Sequence, residues 1–200
     1  LPISYQISYL AHEISAFKQR YPGLVYHITS GDTEQVAEKL DKGLLDFAVL
    51  AEIPDAAKYE SVTFPESDTW GIVCSADSEL SKKEAILVDD LIGLPLFCSE
   101  QGWKKDIPGW AKDKMSKLHL EGSFRLSYNA SIFARERLGY LLTFDKLIDT
   151  SPKSGLVFRP LSPKLETRLF LVWKRYQTFS PIADRFLQQI QKSFISKILD

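Results

Sequence analysis

Apolar positions recur along this chain with two different periods, and the switches between them mark out its elements. Ile7, Leu10, Ala11, Ile14 and Phe17 fall three or four residues apart, the spacing of one helix face. A helix is therefore expected over residues 6–20. It ends before Tyr21-Pro22, because the residue ahead of a proline is driven out of the helical region. Ser4 is the candidate N-cap. LVYHI (24–28) is a run of branched and aromatic residues that predicts a strand, and Asp32 with Gln35 has the spacing of a capping box opening a helix over 33–42. EKLDKGLLDFAVLAE (38–52) then passes from helical spacing to a continuous apolar run. Gly43 stands where a helix needs a left-handed closing residue, so a buried strand is expected over 45–50. Asp46, the charge set into that run, reads as a turn and strand-start residue that orders backbone N–H groups.

The alternation continues through the middle of the chain. It predicts a strand at 70–75, a short helix near 88–91, a strand at 94–98, a helical stretch within 103–117 interrupted by Pro108-Gly109, a strand at 122–127, a helix at 131–137 and a strand at 140–144. LVFRP (156–160) and TRLFLVWKR (167–175) follow as strands. An amphipathic helix then starts at Pro181, with Ser180 as N-cap and the proline in the first turn. Strands alternating with helices point to an α/β fold with a largely parallel sheet covered by helices. The turn-rich stretches FPESDT (64–69) and DTSPKSG (149–155) bracket the middle block. Read as crossovers, they divide the chain into one lobe of residues 1–65 plus 157–200 and a second of residues 66–156. A ligand cleft is expected between such lobes, at the carboxyl ends of strands.

Composition narrows the function classes. Two hundred residues at 44% hydrophobic content suffice for a sizeable core, and 25 basic against 26 acidic residues leave a net charge of -1. That balance gives no sequence-independent attraction to a phosphate backbone or an anionic membrane. No stretch reaches the roughly 18 apolar residues of a membrane span, and LPISYQISYL lacks the features of a signal peptide, so a cytoplasmic protein without membrane contact is expected. Cys74 and Cys98 lie in apolar runs and read as buried small hydrophobes. With no CxxC and only His12, His27 and His119, no metal site and no cofactor are expected. Acid–base or nucleophilic chemistry needs a positioned pair such as Ser or Cys with His; no such pair and no catalytic residue is expected, and the chain is read as not an enzyme.

Four blocks occur in order: FKQRYPGLVYHITSGDTEQVAEKLDKGLLDFAVL, SELSKKEAILVDDL, LPLFCSEQG and SYNASIFARERLGYLL. Together they resemble the effector-binding domain of LysR-type transcriptional regulators over nearly the whole chain. The resemblance implies two Rossmann-like lobes of the type II periplasmic-binding-protein kind, with a small-molecule effector held between them. It implies a regulatory module of a longer protein whose DNA-binding helix-turn-helix domain is absent from this chain, so that DNA is met only through that missing N-terminal domain. A homodimer is implied, with lobe I of one chain against lobe II of its partner, and a tetramer is open to the full-length protein. The alternative of the same architecture is a solute-binding protein of a transport system.

By the family's pattern, the effector-binding positions are Ser4 at the first helix start, Ser99, Glu100 and Gln101 after LPLFC, Asn129, Ala130 and Ser131 before the next helix, and Thr143 at the end of the last middle strand. Ser4, Ser99 and Asn129 are equally good as simple N-caps. Glu100 is read as a solvated charge that would disfavour a dianionic ligand if it pointed inward. The family opens with a strand of the type I-x-I-G, whereas this chain starts near the turn after it; LPIS is either its remnant or the strand is missing. At ERLGYLLTF the family has G-[LI]-G and a later proline, in whose places Arg137 and Phe144 stand. An arginine that keeps the left-handed conformation of that first glycine carries strain of about 1 kcal/mol.

Overall fold

A computed structural model of the chain describes residues 4–31 and 33–199. In chain order the helices are α1 (Ile7–Arg20), α2 (Thr33–Asp41), α3 (Glu100–Lys105), α4 (Ile107–Ala111), α5 (Ser127–Arg135) and α6 (Pro181–Leu199). The strands are β1 (Ala48–Leu50), β2 (Tyr59–Ser75), β3 (Pro95–Ser99), β4 (His119–Phe124), β5 (Tyr140–Phe144), β6 (Leu156–Pro160) and β7 (Glu166–Lys174). The chain folds into two compact units, Leu1–Ser67 with Arg168–Asp200, and Asp68–Thr167.

In the first unit β1 pairs antiparallel with β7, setting Ala48 opposite Val172 and Leu50 opposite Phe170, and β7 in turn neighbours β2. Alternation along these strands feeds two cores. Val49, Leu169, Leu171 and Trp173 pack with Leu10 of α1 and with Leu187, Ile190 and Phe194 of α6. Ala48, Leu50 and Val172 point the other way, onto Val36 and Leu40 of α2. Cover on both faces is why 47–51 reads as a continuous apolar run and not as an alternating one. Gly43 closes α2 with φ +70°. Its N–H donates to Leu40 O and the N–H of Leu44 to Lys39 O, both at 3.0 Å, the paired bonds of a Schellman motif.

Helix α1 is fastened to α6 by a buried carboxylate. Glu13 accepts from Ser193 Oγ at 2.5 Å, Gln189 Nε2 at 2.8 Å and Lys197 Nζ at 3.2 Å. Burial alone would push this carboxyl up, but the three donors outweigh it and hold Glu13 below the ordinary carboxylate value. Arg20 adds an exposed hydrogen bond to Gln189 across the same pair of helices.

Four expectations for this unit need correction. LVYHI (24–28) is not a strand: among the described strands none runs beside it, and a strand exists only through its ladder. Val25 and Ile28 are accordingly 78% and 59% exposed. Ser4 does not cap α1: its Oγ accepts from Gln6 N–H at 2.9 Å, and the N-cap position, two residues on, is Gln6, which makes no side-chain cap bond. Asp46 is exposed and orders no backbone N–H among the described residues. The strand expected over 45–50 is confined to 48–50. Asp32 and residues 1–3 lie outside the described residues, and with them the capping box and the first-strand question.

In the second unit β5 and β6 flank β2 antiparallel, and β5, β3 and β4 run parallel to one another. The larger core gathers Trp70, Ile72, Cys74, Leu96, Cys98 and Leu142 from the strands with Ile107, Trp110 and Ala111 from α4. FPESDT (64–69) is no turn. It lies inside the 17-residue strand β2, where Phe64 and Asp68 are 1% and 2% exposed. The units divide at 67/68 and 167/168, not at 65/66 and 156/157, because β6 pairs with β2 from Gly71↔Pro160 to Ser75↔Leu156 and so belongs to the second unit. The helix expected within 103–117 begins at Glu100, breaks at Asp106 ahead of Pro108, and ends as a 3-10 turn over Lys112–Lys117. Strand β4 and helix α5 start three and four residues earlier than 122 and 131.

Arg137 closes α5 with φ +62°. Its N–H donates to Ala134 O at 3.1 Å and that of Leu138 to Phe133 O at 3.0 Å, a second Schellman motif with an arginine where glycine is favoured. Two residues on, Gly139 has no room for a side chain: a Cβ there would lie 2.5 Å from Pro95 O and 2.6 Å from the Phe97 ring. Arg137→Gly is expected to stabilise the domain by up to about 1 kcal/mol, strain relief exceeding the extra unfolded-state entropy and the loss of an exposed ion pair with Asp77. Gly139→Ala is expected to destabilise it by about 1–3 kcal/mol through overpacking. Urea unfolding of both variants checks the pair, and opposite signs are the expected result.

Candidate functional site

The parallel strands β4, β3 and β5 place their carboxyl ends along one edge of the second unit's sheet, where open α/β sheets hold ligands. Ser99 is the last residue of β3 and the N-cap of α3, its Oγ accepting from Gly102 N–H at 3.2 Å. The β3–β5 register pairs Leu96 with Tyr140 and Phe97 with Leu141. Carried two residues further, it sets Ser99 level with Thr143. Thr143, 4% exposed, lies with its Oγ1 3.3 Å from Ser127 Oγ at the first residue of α5, itself 6% exposed. Three hydroxyl side chains thus stand at the ends of three neighbouring strand-to-helix connections or strands.

The remaining expected positions fall apart. Glu100 is exposed and pairs with Lys104 at 3.4 Å, one turn along α3, as a solvated charge. Gln101 is half-buried in the first turn of α3. Asn129 caps nothing: it is the third residue of α5, exposed, because the helix starts at Ser127 after an N-cap, Leu126, that has no side-chain cap bond. Ala130 is buried against Val73, Ala134, Leu141 and Leu156. Ser131 is buried too, and its Oγ donates to Tyr128 O at 2.7 Å, back onto its own helix. Ser4 belongs to the first unit, with its hydroxyl on Gln6 N–H. Ser127 was not foreseen. Its signal was present in SYNAS, but placing the helix start four residues late hid it among strand residues.

This cluster offers neutral donors and acceptors and no ionisable group, which suits hydrogen bonding to a small oxygen-rich molecule and not proton transfer. Cys98 directly precedes Ser99, yet it is fully buried, and burial together with the Asp106 carboxylate pushes its thiol far above the ordinary value. Burial likewise raises Cys74. Neither sulfur is a thiolate near neutral pH, so neither is an activated nucleophile. Among the described residues no group of three or more His, Cys, Asp or Glu side chains is arranged to hold a metal ion.

Residues 2–195 match the family of LysR substrate binding domains. The chain belongs to this family. Among curated relatives, this LysR domain is 24% identical over 200 residues to a probable nitrogen assimilation transcriptional activator of Synechococcus elongatus, covering 96% of this chain and 64% of that protein. A transcriptional regulator of Bacillus subtilis is 24% identical over 183 residues, covering 90% and 61%. The chain thus spans less than two thirds of the length of these curated relatives. Among solved structures, the effector binding domain of QuiR in complex with shikimate superposes with a TM-score of 0.80 at 13% identity, covering 96% of this chain and 94% of that one. The Synechocystis CcmR regulatory domain in complex with 2-PG gives 0.75 at 16% identity, covering 94% and 93%. The fold is that of LysR effector-binding domains, of the type II periplasmic-binding-protein kind, and the family decides against the transport reading.

The two serine and asparagine positions now separate. Ser99→Ala should lower stability by about 1 kcal/mol through loss of its cap, whereas Asn129→Ala should leave it unchanged or raise it by up to about 0.5 kcal/mol, alanine being the better helix former at an exposed position. Equal losses in thermal unfolding of the two variants would place Asn129 at a cap after all.

Proposed function

We propose that this LysR domain is the effector-sensing module of a DNA-binding transcriptional regulator, and that its ligand is a small, oxygen-rich metabolite bound at the hydroxyl cluster Ser99, Ser127 and Thr143. The observation that carries the reading is the buried Ser127–Thr143 pair, 3.3 Å apart, beside a strand-end serine at the carboxyl edge of parallel strands. Buried hydroxyls bonded chiefly to each other are polar groups kept out of water, and a ligand oxygen would complete them. The fold adds support: its solved neighbours carry shikimate in one case and 2-PG in another. Gln101, Asn129 and Ser4 are proposed as further contacts, and Ala130 and Ser131 as the buried support of the same helix start. The near-neutral charge fits a sensor whose DNA contacts lie in another part of a longer, cytoplasmic protein. Among the described residues no helix is long and apolar enough to cross a membrane. No catalytic role is proposed.

Signalling requires a ligand that favours one arrangement of the protein over another, since equal affinity for two states shifts nothing. A true effector at about 100 times its Kd should stabilise the domain by about 2.7 kcal/mol. Shikimate and 2-PG are the first compounds to screen by thermal shift, followed by other hydroxy acids and small phosphates. Ser99→Ala and Thr143→Val should each lose most of the increment a hit produces, and Cys74→Ser, in the core, should keep it. If both site variants respond as fully as the parent, the site assignment is wrong.

We also propose that the domain pairs with a second copy about a two-fold axis. Val25, Tyr26 and Ile28 in the first unit and Leu126, Tyr128 and Phe133 in the second are between 47% and 78% exposed, apolar surface of the kind a partner covers. Sedimentation velocity is expected to give the dimer mass, and a monomer mass at every concentration up to about 100 µM would rule the pairing out for this chain.

A further inference from the structure

Trp70 of β2 is 3% exposed, and its ring lies under the first turn of α3. A Cβ built on Gly102 would come within 2.4 Å of its Cη2. Its ring also meets Phe144 of β5 edge-on, with centroids 4.5 Å apart. The indole N–H donates to Thr167 Oγ1 at 2.8 Å, and that hydroxyl donates to Asp106 Oδ1 at 2.7 Å. Asp106 is the C-cap of α3 and the residue at which α4 begins. Trp70 thus grips α3 at both ends, by shape at Gly102 and through Thr167 at Asp106. Its backbone is fixed as firmly, donating to Leu165 O at 2.9 Å and accepting from Leu161 N–H at 3.0 Å. Trp70 is the third residue and Thr167 the last residue of the second unit. They stand where the chain enters and leaves it.

We propose that Trp70, Thr167 and Asp106 are positioning residues that tie the segment Ser99–Gly102 to β2 and β7, the two strands that continue into the first unit. The inference rests on the reading of Ser99 as part of the effector site: a ligand held there loads α3, and the relay carries that load to the strands through which the chain enters and leaves the unit. A single hydroxyl makes the connection. Thr167 accepts from the indole and donates its one proton to the carboxylate, a combination that serine can reproduce and valine cannot. Valine keeps the shape but leaves the buried indole N–H without a partner.

Amide hydrogen exchange, measured by NMR on the ligand-free protein, tests the relay. In Thr167→Val the Gly102 amide and the Trp70 indole N–H should exchange at least about tenfold faster than in the parent, while the amides of Ile72 and Leu142 in the sheet centre change less than about twofold. Thr167→Ser should restore the parent's pattern. The proposal is overturned if Gly102 does not respond, if Gly102 and the two sheet amides accelerate by the same factor, or if serine behaves like valine. Should the valine variant fail to fold, Asp106→Asn takes its place; it keeps an acceptor oxygen but not the charge, so a faster, selective response at Gly102 is expected and an unchanged Gly102 amide is the overturning result. Since no ligand enters the measurement, a failed effector screen leaves its outcome untouched, and a failed relay leaves the effector reading in place.

Discussion

Every buried backbone N–H and C=O needs a partner, and a 17-residue strand through two cores presents that demand at its largest. β2 meets it by pairing on both edges, with β7 as its neighbour toward the first unit's sheet and with β5 and β6 in the second. Much else follows from that ladder. β6 is drawn into the second unit, β7 becomes the second strand shared by both units, and the glycine at 71 is required because Phe158 and Arg159 of β6 press to within 2.3–2.4 Å of where its Cβ would be.

The same ladder explains why FPESDT misled as a turn. Proline, serine and aspartate are turn formers on local grounds, but Phe64 and Asp68 are buried by contacts distant in sequence, and tertiary pairing overrides local preference. LVYHI fails in the opposite direction. Its composition suits a strand, yet strand formation belongs to a pair of segments, and nothing inside the segment reports whether its partner is there. Where the signal is local it is legible: Gly43 and Arg137 both adopt the left-handed backbone expected from their place after a helix, and Ser180-Pro181 opens α6 with Ser180 Oγ accepting from Ala183 N–H at 3.3 Å.

The candidate site was legible at strand ends and blurred at helix starts. Ser99 and Thr143 are placed by strands β3 and β5, whose apolar runs PLFC and YLL mark where each strand ends. Asn129, Ala130 and Ser131 were assigned through a helix boundary four residues late, and on a helix that displacement is more than a full turn. Asn129 therefore faces water, while Ser127, overlooked, meets Thr143. The hydroxyl pair is visible only when β5 and α5 are brought together, since its members are 16 residues apart in the chain.

Cys74 and Cys98 lie in strands β2 and β3, which β5 separates, and both are free. With their thiols held protonated by burial, the two sulfurs act as space-filling hydrocarbon in a core that also contains Ile72, Leu96 and Leu142. The thiol next to the proposed ligand contact is thus shielded by burial and held in its protonated form, the less nucleophilic state of a cysteine. Under the proposed sensing role, that burial leaves the hydroxyls of Ser99, Ser127 and Thr143, and not the two sulfurs, as the groups a ligand would address.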